Sequence, residues 1–307
     1  MPERVALVRA SANEPASIRT GVFQALEAAG LPLRPGMRIL VKPNLLTAVP
    51  LACTTPAVVA AACEWLLDQG AHPVICDSPA FGSARAVARA IGLSDALKPL
   101  GLEARDFGKV RKVRLPLPRQ KREIRLGIAS EALEADLILS APRVKAHSQL
   151  RVTLAVKNCY GVICGLRKAI IHARYGSSLE LFCDCVAALF ASLPPVAGLC
   201  DGITAMSKTG PIRGAPFQLN LIAASASAPA ADAALLRVLN LPASASPLCQ
   251  ALIRAGLWPD APDFPLLRPE DFSAPGFETP ATLKDISFNP LYLAKSLLKR
   301  VLLAARG

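Results

Sequence analysis

The fold is decided by residues 37–79, which read MRILVKPNLLTAVPLACTTPAVVAAACEWLLDQGAHPVICDSP. Two short apolar runs, at 37–41 and 73–76, are typical of buried strands, and polar residues follow each of them. The segment 56–70 between them repeats apolar residues at helical spacing, begins with proline and ends with glycine. A strand, a helix and a second strand in this order predict a parallel pair joined by a crossover helix.

The same alternation continues on both sides of this segment. Further strands are predicted at 5–10, 135–140, 196–200 and 219–224, and further helices at 15–30, 83–91, 94–100, 151–164, 178–192, 230–239 and 247–256. Basic residues alternate with Val and Leu over 110–125, which predicts a β-hairpin around 118–122 with one solvated face. The predicted fold class is α/β, a mostly parallel sheet flanked by helices, with an inserted β-hairpin and a C-terminal helical extension.

The chain is expected to have an α/β core over 1–245 and a Pro-rich helical extension over 246–307 that packs on the core. The extension ends in a basic amphipathic helix over 289–305. Three hypotheses account for this helix: its apolar face docks on its own domain, on a second subunit, or on an anionic membrane surface as a peripheral contact. The sequence does not predict the oligomeric state.

The composition excludes several classes of protein. The chain has 307 residues, of which 52% are hydrophobic and 5% aromatic, and its formal net charge is +12. A chain this apolar is not disordered, and it lacks the periods of collagen and of coiled coils. The charge indicates either a general excess of arginine on the surface or an anionic partner. Nucleic acid is not favoured as that partner, because single-strand binders stack bases on aromatic rings.

The compartment determines how the nine cysteines are interpreted. The first residues lead directly into a strand without a secretory signal, and no apolar run is long enough to cross a bilayer, which predicts a cytoplasmic protein. Cytoplasmic cysteines are expected to be reduced, and the chain has no C-x-x-C pair of the kind found in zinc ribbons and bacterial ferredoxins. The spacing favours small core residues over an iron–sulfur cluster on Cys159, Cys164, Cys183 and Cys185.

Polar residues follow the predicted strands at the place where ligands gather in parallel sheets. Lys42 and Asn44 follow the first quoted strand, and Asp77 and Ser78 follow the second. Asp201 follows a later strand. The carboxyl ends of parallel strands meet at one edge of a sheet, so we expect these side chains to lie close together. Each aspartate has three candidate roles, which are to bind a divalent metal, to orient a lysine or to cap the next turn.

The window 142–174 is rich in cations and contains no Asp or Glu. Its seven cationic residues are Arg143, Lys145, Arg151, Lys157, Arg167, Lys168 and Arg174. Two of the three histidines, His147 and His172, lie in the same window. A structural surface normally mixes both signs of charge, so this pattern favours an anion site, with a solvated basic loop as the alternative.

The chemistry of these groups predicts an enzyme that acts on a small substrate carrying phosphate or carboxylate. Lysine and arginine clamp such oxygens, and a neutral histidine transfers a proton near pH 7. The catalytic candidates are His147, Lys145 and His172. The substrate-binding candidates are Lys42, Asn44, Ser78, Lys157, Asn158, Lys168 and Arg174, and the metal candidates are Asp77 and Asp201.

The order of the polar motifs resembles the family known as domain of unknown function 362. The motifs are Lys42-Pro43-Asn44, Thr54-Thr55-Pro56, Asp77-Ser78-Pro79, Pro142-Arg143-Val144-Lys145-Ala146-His147, Lys157-Asn158 with Gly161, Asp201-Gly202 and Gly210-Pro211. Family members often have Thr-Asp-Pro and Pro-Lys-x-Lys-x-His, so this chain departs from the family pattern at Thr55 and Arg143.

The resemblance also suggests an alternative function. Many relatives carry a fused ferredoxin module with two four-iron clusters, whose cysteine run this chain lacks. The resemblance therefore implies a stand-alone core domain and a ferredoxin-like redox partner. In that case the chain is a redox-associated accessory protein that binds a metal or a nucleotide-like cofactor.

Overall fold

The computed structural model of the chain describes residues 3–284, apart from positions 13, 81, 166, 177 and 273. The helix predicted over 289–305 therefore lies outside the described residues. The strands are β1 (Val5–Arg9), β2 (Arg38–Pro43), β3 (His72–Asp77), β4 (Ala104–Asp106), β5 (Val110–Leu117), β6 (Arg122–Ala129), β7 (Leu137–Ala141), β8 (Arg143–His147), β9 (Arg151–Thr153), β10 (Val196–Ser207) and β11 (Ala215–Ser225). The α-helices are α1 (Pro15–Ala29), α2 (Pro56–Asp68), α3 (Ala84–Ala90), α4 (Leu93–Leu97), α5 (Ser130–Leu133), α6 (Ala155–Cys159), α7 (Arg167–Tyr175), α8 (Leu179–Ala191), α9 (Ala228–Val238) and α10 (Pro247–Arg254).

The main sheet has the strand order β1-β11-β10-β7-β2-β3-β4. The strands from β10 to β4 run parallel, whereas β11 pairs antiparallel with both β10 and β1. β8 continues beside β10 where β7 ends, and it pairs with β9. The predicted α/β class with a mostly parallel sheet is confirmed, and the unit β2–α2–β3 lies within its parallel part.

Helices cover both faces of this sheet because the strand residues alternate between the faces. Ile39 and Val41 pack with apolar residues of α1 and α2 on one face. Leu40 belongs to the core on the other face, which includes residues of α6, α8 and α9. The next residue of β2 on that second face is Lys42. The alternation that buries Leu40 therefore also directs Lys42 toward α6, and this sets the position of the functional site.

The inserted hairpin is present as the sequence predicts. β5 and β6 form a separate two-stranded antiparallel sheet, joined by a 3₁₀ turn at Pro118–Gln120. Leu115, Leu117 and Ile124 on its inner face are buried in the core. The outer face is exposed to solvent.

The segment 151–164 is not the single helix that its apolar pattern predicts. It forms β9, then α6, then a 3₁₀ turn at Tyr160–Val162. The break lies at Leu154, whose backbone is extended (φ −131°, ψ −161°). Asp232 of α9 accepts hydrogen bonds from the first two backbone N–H groups of α6, at 2.7 and 3.2 Å. A side chain far along the sequence therefore fixes where this helix begins, and a local pattern does not contain that information.

The beginning of the predicted extension is helical. α10 packs against α8 and buries Leu248, Cys249 and Leu252. Within the described residues, no helix combines the length and the apolar character needed to cross a membrane.

Candidate functional site

The polar residues that follow the parallel strands converge at the carboxyl edge of the sheet. β2 carries Lys42 and leads into Asn44, β3 ends at Asp77, and β8 carries Lys145 beside β10. α6 brings Asn158 to the same place, where it contacts Lys42 although 116 positions separate the two residues. We call Lys42, Asn44, Asp77, Lys145, Lys157 and Asn158 the basic cluster.

A buried ion pair anchors the basic cluster. The Nζ atom of Lys42 lies 2.7 Å from Oδ1 of Asp77, and it also donates to Oδ1 of Asn158 at 3.2 Å. Lys42 is 1% exposed and Asp77 is 3% exposed, so both charges have lost their water. A buried ion pair is tolerated when additional hydrogen bonds satisfy its remaining polar atoms. Asp77 meets this condition, because its oxygens accept from the backbone N–H groups of Leu45 (2.7 Å) and Ser78 (2.8 Å).

Two asparagines connect this ion pair to a second buried lysine. Oδ1 of Asn158 accepts from Nδ2 of Asn44 at 3.3 Å, and Oδ1 of Asn44 accepts from Nζ of Lys145 at 2.5 Å. Lys145 also donates to the backbone carbonyl of Ala52 at 2.9 Å. These two acceptors are neutral oxygens, whereas the acceptors of Lys42 include a carboxylate. The asparagines therefore hold the two lysines in a fixed arrangement.

The environment of Lys145 changes its proton affinity. Burial lowers the pKa of Lys145 to about 7, and the positive charges of Lys157 and Arg143 act in the same direction. An amine with this pKa is present in both its neutral and its charged form at neutral pH. Such a group can accept and release a proton under physiological conditions.

Lys157 and Lys168 extend the positive charge toward the solvent side. Lys157 is half-buried, and its Nζ atom lies 4.8 Å from the ring centroid of Tyr160. Burial lowers the pKa of Lys157 to about 8, with contributions from Lys168 and Lys42. Lys168 donates to the backbone carbonyl of Ser78. The structure thus brings these predicted binding residues to the basic cluster.

The histidines differ from each other in their surroundings. His147 is buried, and its Nδ1 atom accepts from the backbone N–H groups of Gln149 (3.1 Å) and Leu150 (3.2 Å). Burial holds the pKa of His147 well below its usual value, and Lys157 and Lys145 add to the effect. A neutral imidazole that accepts at Nδ1 carries its proton on Nε2, so His147 is suited to donate a hydrogen bond from that atom.

Two other predicted residues lie among aromatic rings. His172 stacks on Phe182, with ring centroids 4.6 Å apart, and meets Tyr160 edge-on at 5.6 Å. The guanidinium of exposed Arg174 lies 5.7 Å from the ring centroid of Tyr175. The hydrogen-bond network described above includes neither residue.

The two predicted metal-binding aspartates are both engaged by cations and backbone amides. Asp201 is fully buried, and it accepts from the backbone N–H groups of Thr55 (2.7 Å) and Ile203 (3.2 Å). One guanidinium nitrogen of Arg143 lies 3.5 Å from the same carboxylate. Across residues 3–284, excluding the undescribed positions, no group of three or more His, Cys, Asp or Glu residues is arranged to hold a metal ion. Asp77 orients Lys42, and Asp201 caps backbone N–H groups beside Arg143; a metal role for either aspartate stays a prediction.

Sequence reasoning did not identify Arg143 and Thr54 as positioning residues. Arg143 donates to the carbonyl of Cys53 (2.8 Å) and to Oγ1 of Thr55 (3.0 Å), which fixes the segment before α2. Thr54 donates to the carbonyl of Ala141 (2.6 Å) and accepts from the backbone N–H of Asn44 (2.8 Å). Both residues lie inside the motifs listed above, which is the only signal that the sequence offered. Each makes hydrogen bonds to backbone groups, and Arg143 also contacts the side chains of Thr55 and Asp201.

Gly161 is a further residue on which the site depends. A Cβ atom at this position would lie 2.4 Å from both Cε and Nζ of Lys42, and 2.8 Å from Oδ1 of Asp77. Any side chain here would therefore displace the buried ion pair. The resemblance included Gly161, but only the structure gives the physical reason for a glycine.

Three of the four cysteines named as the alternative iron–sulfur ligands lie in apolar surroundings, and the fourth, Cys164, is half-buried near Arg167 and Lys168. Cys159, Cys183 and Cys185 are buried, and burial raises the pKa of each thiol to about 12. Neutral buried thiols of this kind behave as small core residues.

Two solved structures show a distant similarity in fold. A protein from Thermotoga maritima superposes with a TM-score of 0.36 at 10% identity, covering 66% of this chain and 54% of the other. The lactate racemase apoprotein of Thermoanaerobacterium thermosaccharolyticum superposes with a TM-score of 0.42 at 13% identity, covering 64% of this chain and 50% of the other. The chain spans about half the length of each, and similarity at this level gives no information about function.

Sequence comparison gives a stronger relationship. The chain is 33% identical over 308 residues to the thylakoid-associated protein of Synechocystis sp., and the alignment covers 97% of this chain and 94% of that protein. The family model described as Domain of unknown function (DUF362) matches residues 39–237, more than half of the chain. The matched region contains every residue of the basic cluster. The chain belongs to the DUF362 family.

Proposed function

We propose that the chain is an enzyme that binds a small substrate carrying phosphate or carboxylate at the basic cluster. The observation that carries this proposal is an imbalance of charge. The basic cluster contains three lysines, Lys42, Lys145 and Lys157, but only one carboxylate, that of Asp77, which is paired with Lys42. Because these groups are removed from water, they repel one another more strongly than surface lysines do. An anionic substrate would supply the missing negative charge.

The lowered pKa values of Lys145 and Lys157 are the expected state of such a site without its anion. A bound phosphate or carboxylate would favour the charged form of each amine and raise both pKa values. Substrate binding would therefore be accompanied by proton uptake near neutral pH. Clusters of perturbed titratable groups of this kind occur more often at functional sites than elsewhere.

Each residue of the cluster has a distinct role in this proposal. Lys145 transfers a proton, because its pKa of about 7 lets it serve as base or acid at neutral pH. Lys42, held by Asp77, supplies a fixed positive charge for a developing oxyanion. Asn44, which keeps partial contact with solvent, orients the substrate through its amide group, whereas Asn158 holds Lys42 and Asn44 in place. His147 donates from Nε2.

The substrate would approach from the half-buried side of the cluster. Asn44, Ser78 and Lys157 keep partial contact with solvent, whereas Lys42 and Lys145 are each 1% exposed. Binding therefore requires that the segment between β2 and α2, or the segment that begins α7, moves away from the cluster.

Thermal unfolding in the presence of simple anions tests the proposal. Inorganic phosphate and succinate serve as probes for the two classes of anion. A ligand at about 100 times its Kd stabilises the folded state by about 2.7 kcal/mol, which corresponds to a rise in Tm of about 4 °C for a chain of this size. We expect at least one probe to raise the Tm of the wild-type protein, and the rise to be lost in Lys145→Met and His147→Ala.

The control is Lys98→Met, which removes an exposed lysine on the opposite face of the sheet. This variant should respond to the probe as the wild type does. A wild-type protein that responds to neither anion, or a response that Lys145→Met retains in full, would show that the site assignment is wrong.

The cytoplasmic location remains a prediction from the sequence. Fractionation of cells that produce the chain tests it. Recovery in the cytosol or on the cytoplasmic face of the membrane supports the prediction, and recovery on the outer side of the cytoplasmic membrane contradicts it.

A further inference from the structure

We propose that the outer face of the hairpin, together with the exposed side of α7, docks on an anionic lipid surface. The docking surface consists of Lys112, Arg114, Arg125, Arg167 and Ile170, all of which are exposed. It shares no residue with the basic cluster and takes no part in the proposed reaction.

The register of the hairpin places two like charges opposite each other. Arg114 and Arg125 are direct partners across β5 and β6, and Lys112 is the partner of Gly127. All these positions share the outer face, because the intervening residues Leu115 and Ile124 face the core. Like charges directly opposite destabilise an antiparallel pair, so the stability of the hairpin does not account for this arrangement.

α7 contributes a fourth cation to the same face. A Cβ atom on Gly127 would lie 2.8 Å from Cδ and 3.0 Å from Nε of Arg167. The side chain of Arg167 therefore crosses the outer face where β6 has no side chain of its own. A bridge between Ile128 and Ile163 holds the segment before α7 against β6, which fixes this approach.

Neighbouring arginines on the hairpin have acidic partners. Arg111 lies 3.7 Å from a carboxylate oxygen of Glu134, and Arg119 lies 2.5 Å from one of Glu180. The four cations of the docking surface form no ion pair with any carboxylate in the described part of the chain. Their charge is thus available to an external anionic partner.

An exposed isoleucine adjoins these cations. Arg167, Ile170 and Arg174 follow one another at spacings of three and four, so they lie on one side of α7. Ile170 is 58% exposed, the largest fraction among the large hydrophobic side chains of the described residues. An apolar side chain among cations fits a lipid surface, where the cations bind headgroups and the apolar group enters the interface.

The same features argue against nucleic acid as the partner. The hairpin strands carry no aromatic residue on which a base could stack. An exposed isoleucine contributes nothing to contacts with a phosphate backbone.

Sedimentation of the full chain with vesicles tests the proposal. The vesicles are phosphatidylcholine mixed with phosphatidylglycerol, or phosphatidylcholine alone.

Each cation at an anionic bilayer contributes about fivefold to partitioning, so Arg114→Ala combined with Arg125→Ala should lower binding to the mixed vesicles about 25-fold. Ile170→Ser should lower it about tenfold, because the apolar contact is lost. Removing opposed like charges should not harm folding, and the thermal unfolding of each variant confirms this.

The matched control is Arg34→Ala combined with Arg89→Ala, which removes two exposed cations elsewhere on the surface. Its binding should stay close to that of the wild type. The proposal is overturned if both double variants bind equally well, or if Ile170→Ser binds the mixed vesicles like the wild type. It is also overturned if the chain binds duplex DNA or polyglutamate through Arg114 and Arg125 but does not bind the mixed vesicles.

Discussion

Lys145 illustrates how position alone changes the chemistry of a residue. Its folded-state pKa is about 7, whereas an unfolded lysine titrates near 10.4. Between these two values the unfolded chain binds more protons than the folded one, so the folded state gains stability as the pH rises. We expect the free energy of unfolding of the wild type to rise by about 3 kcal/mol relative to Lys145→Met between about pH 7 and about pH 10.

Urea unfolding across this pH range measures the difference. Titrating groups that do not interact with Lys145 contribute equally in both proteins, so their contributions cancel, whereas Lys157 and His147 are coupled to Lys145. Lys98→Met, which lacks an exposed lysine, should show no such divergence from the wild type. If the free energy of unfolding changes with pH in the same way in the wild type and in Lys145→Met, the pKa of Lys145 is not lowered in the folded protein.

At Gly161 the site requires that there be no side chain. A Cβ atom at 2.4 Å from Nζ of Lys42 must push the lysine away from Asp77. Disrupting a buried ion pair costs about 3 kcal/mol, so Gly161→Ala should lower the free energy of unfolding by this amount and abolish any response to phosphate or succinate. Urea unfolding and thermal shifts measure both effects.

Gly108→Ala is the matched substitution. Its added Cβ would meet only the end of the flexible Glu131 side chain, at 3.1 Å, so a cost below about 1 kcal/mol is expected. Equal costs at the two glycines would contradict the close packing that the structure places around Lys42.

At the scale of elements, Asp232 of α9 determines where α6 begins. Burial raises the pKa of Asp232 to about 8, although its two backbone hydrogen bonds act in the opposite direction. Between about pH 4, where an unfolded aspartate titrates, and pH 8, the folded protein binds more protons than the unfolded chain. The stability that Asp232 contributes is therefore present at low pH and lost as the pH rises through about 8.

We expect the wild type to lose about 5 kcal/mol of unfolding free energy relative to Asp232→Asn between about pH 4 and about pH 8. Urea unfolding at several pH values provides the measurement, and the exposed Asp260→Asn is the control. A constant difference between the wild type and Asp232→Asn over this range would mean that Asp232 is ionised throughout.

α7 links the two functional surfaces inferred for this chain. Arg167 lies on the outer face of the hairpin, while the next residue, Lys168, donates to the carbonyl of Ser78 beside the basic cluster. Successive residues of one helix turn thus reach the docking surface and the proposed site. The sequence pattern did not predict α7. Its two buried residues, Ile171 and Tyr175, are too few among the basic residues of this segment to give a clear helical repeat.

At the scale of the whole molecule, the sequence predicts the elements better than it predicts the contacts between them. The β2–α2–β3 unit, the hairpin and the parallel sheet follow from periodicity and turn residues, which are local. The window 142–174 contains no carboxylate, but Arg143 in this window lies beside Asp201, and Lys42 of the basic cluster pairs with Asp77. A count of charges within the window alone therefore overstates the number of cations without an acidic partner. Only the fold brings such residues together.

The central claim is that Lys145 is an anion-responsive group with a depressed pKa. NMR titration of the full chain with ¹³Cε-labelled lysine measures it directly, with and without inorganic phosphate or succinate. The claim predicts one resonance that titrates near pH 7, is absent in Lys145→Met and moves to higher pKa when an anion binds. It is contradicted if every lysine titrates close to the ordinary value near 10.4, or if neither anion shifts the Lys145 resonance.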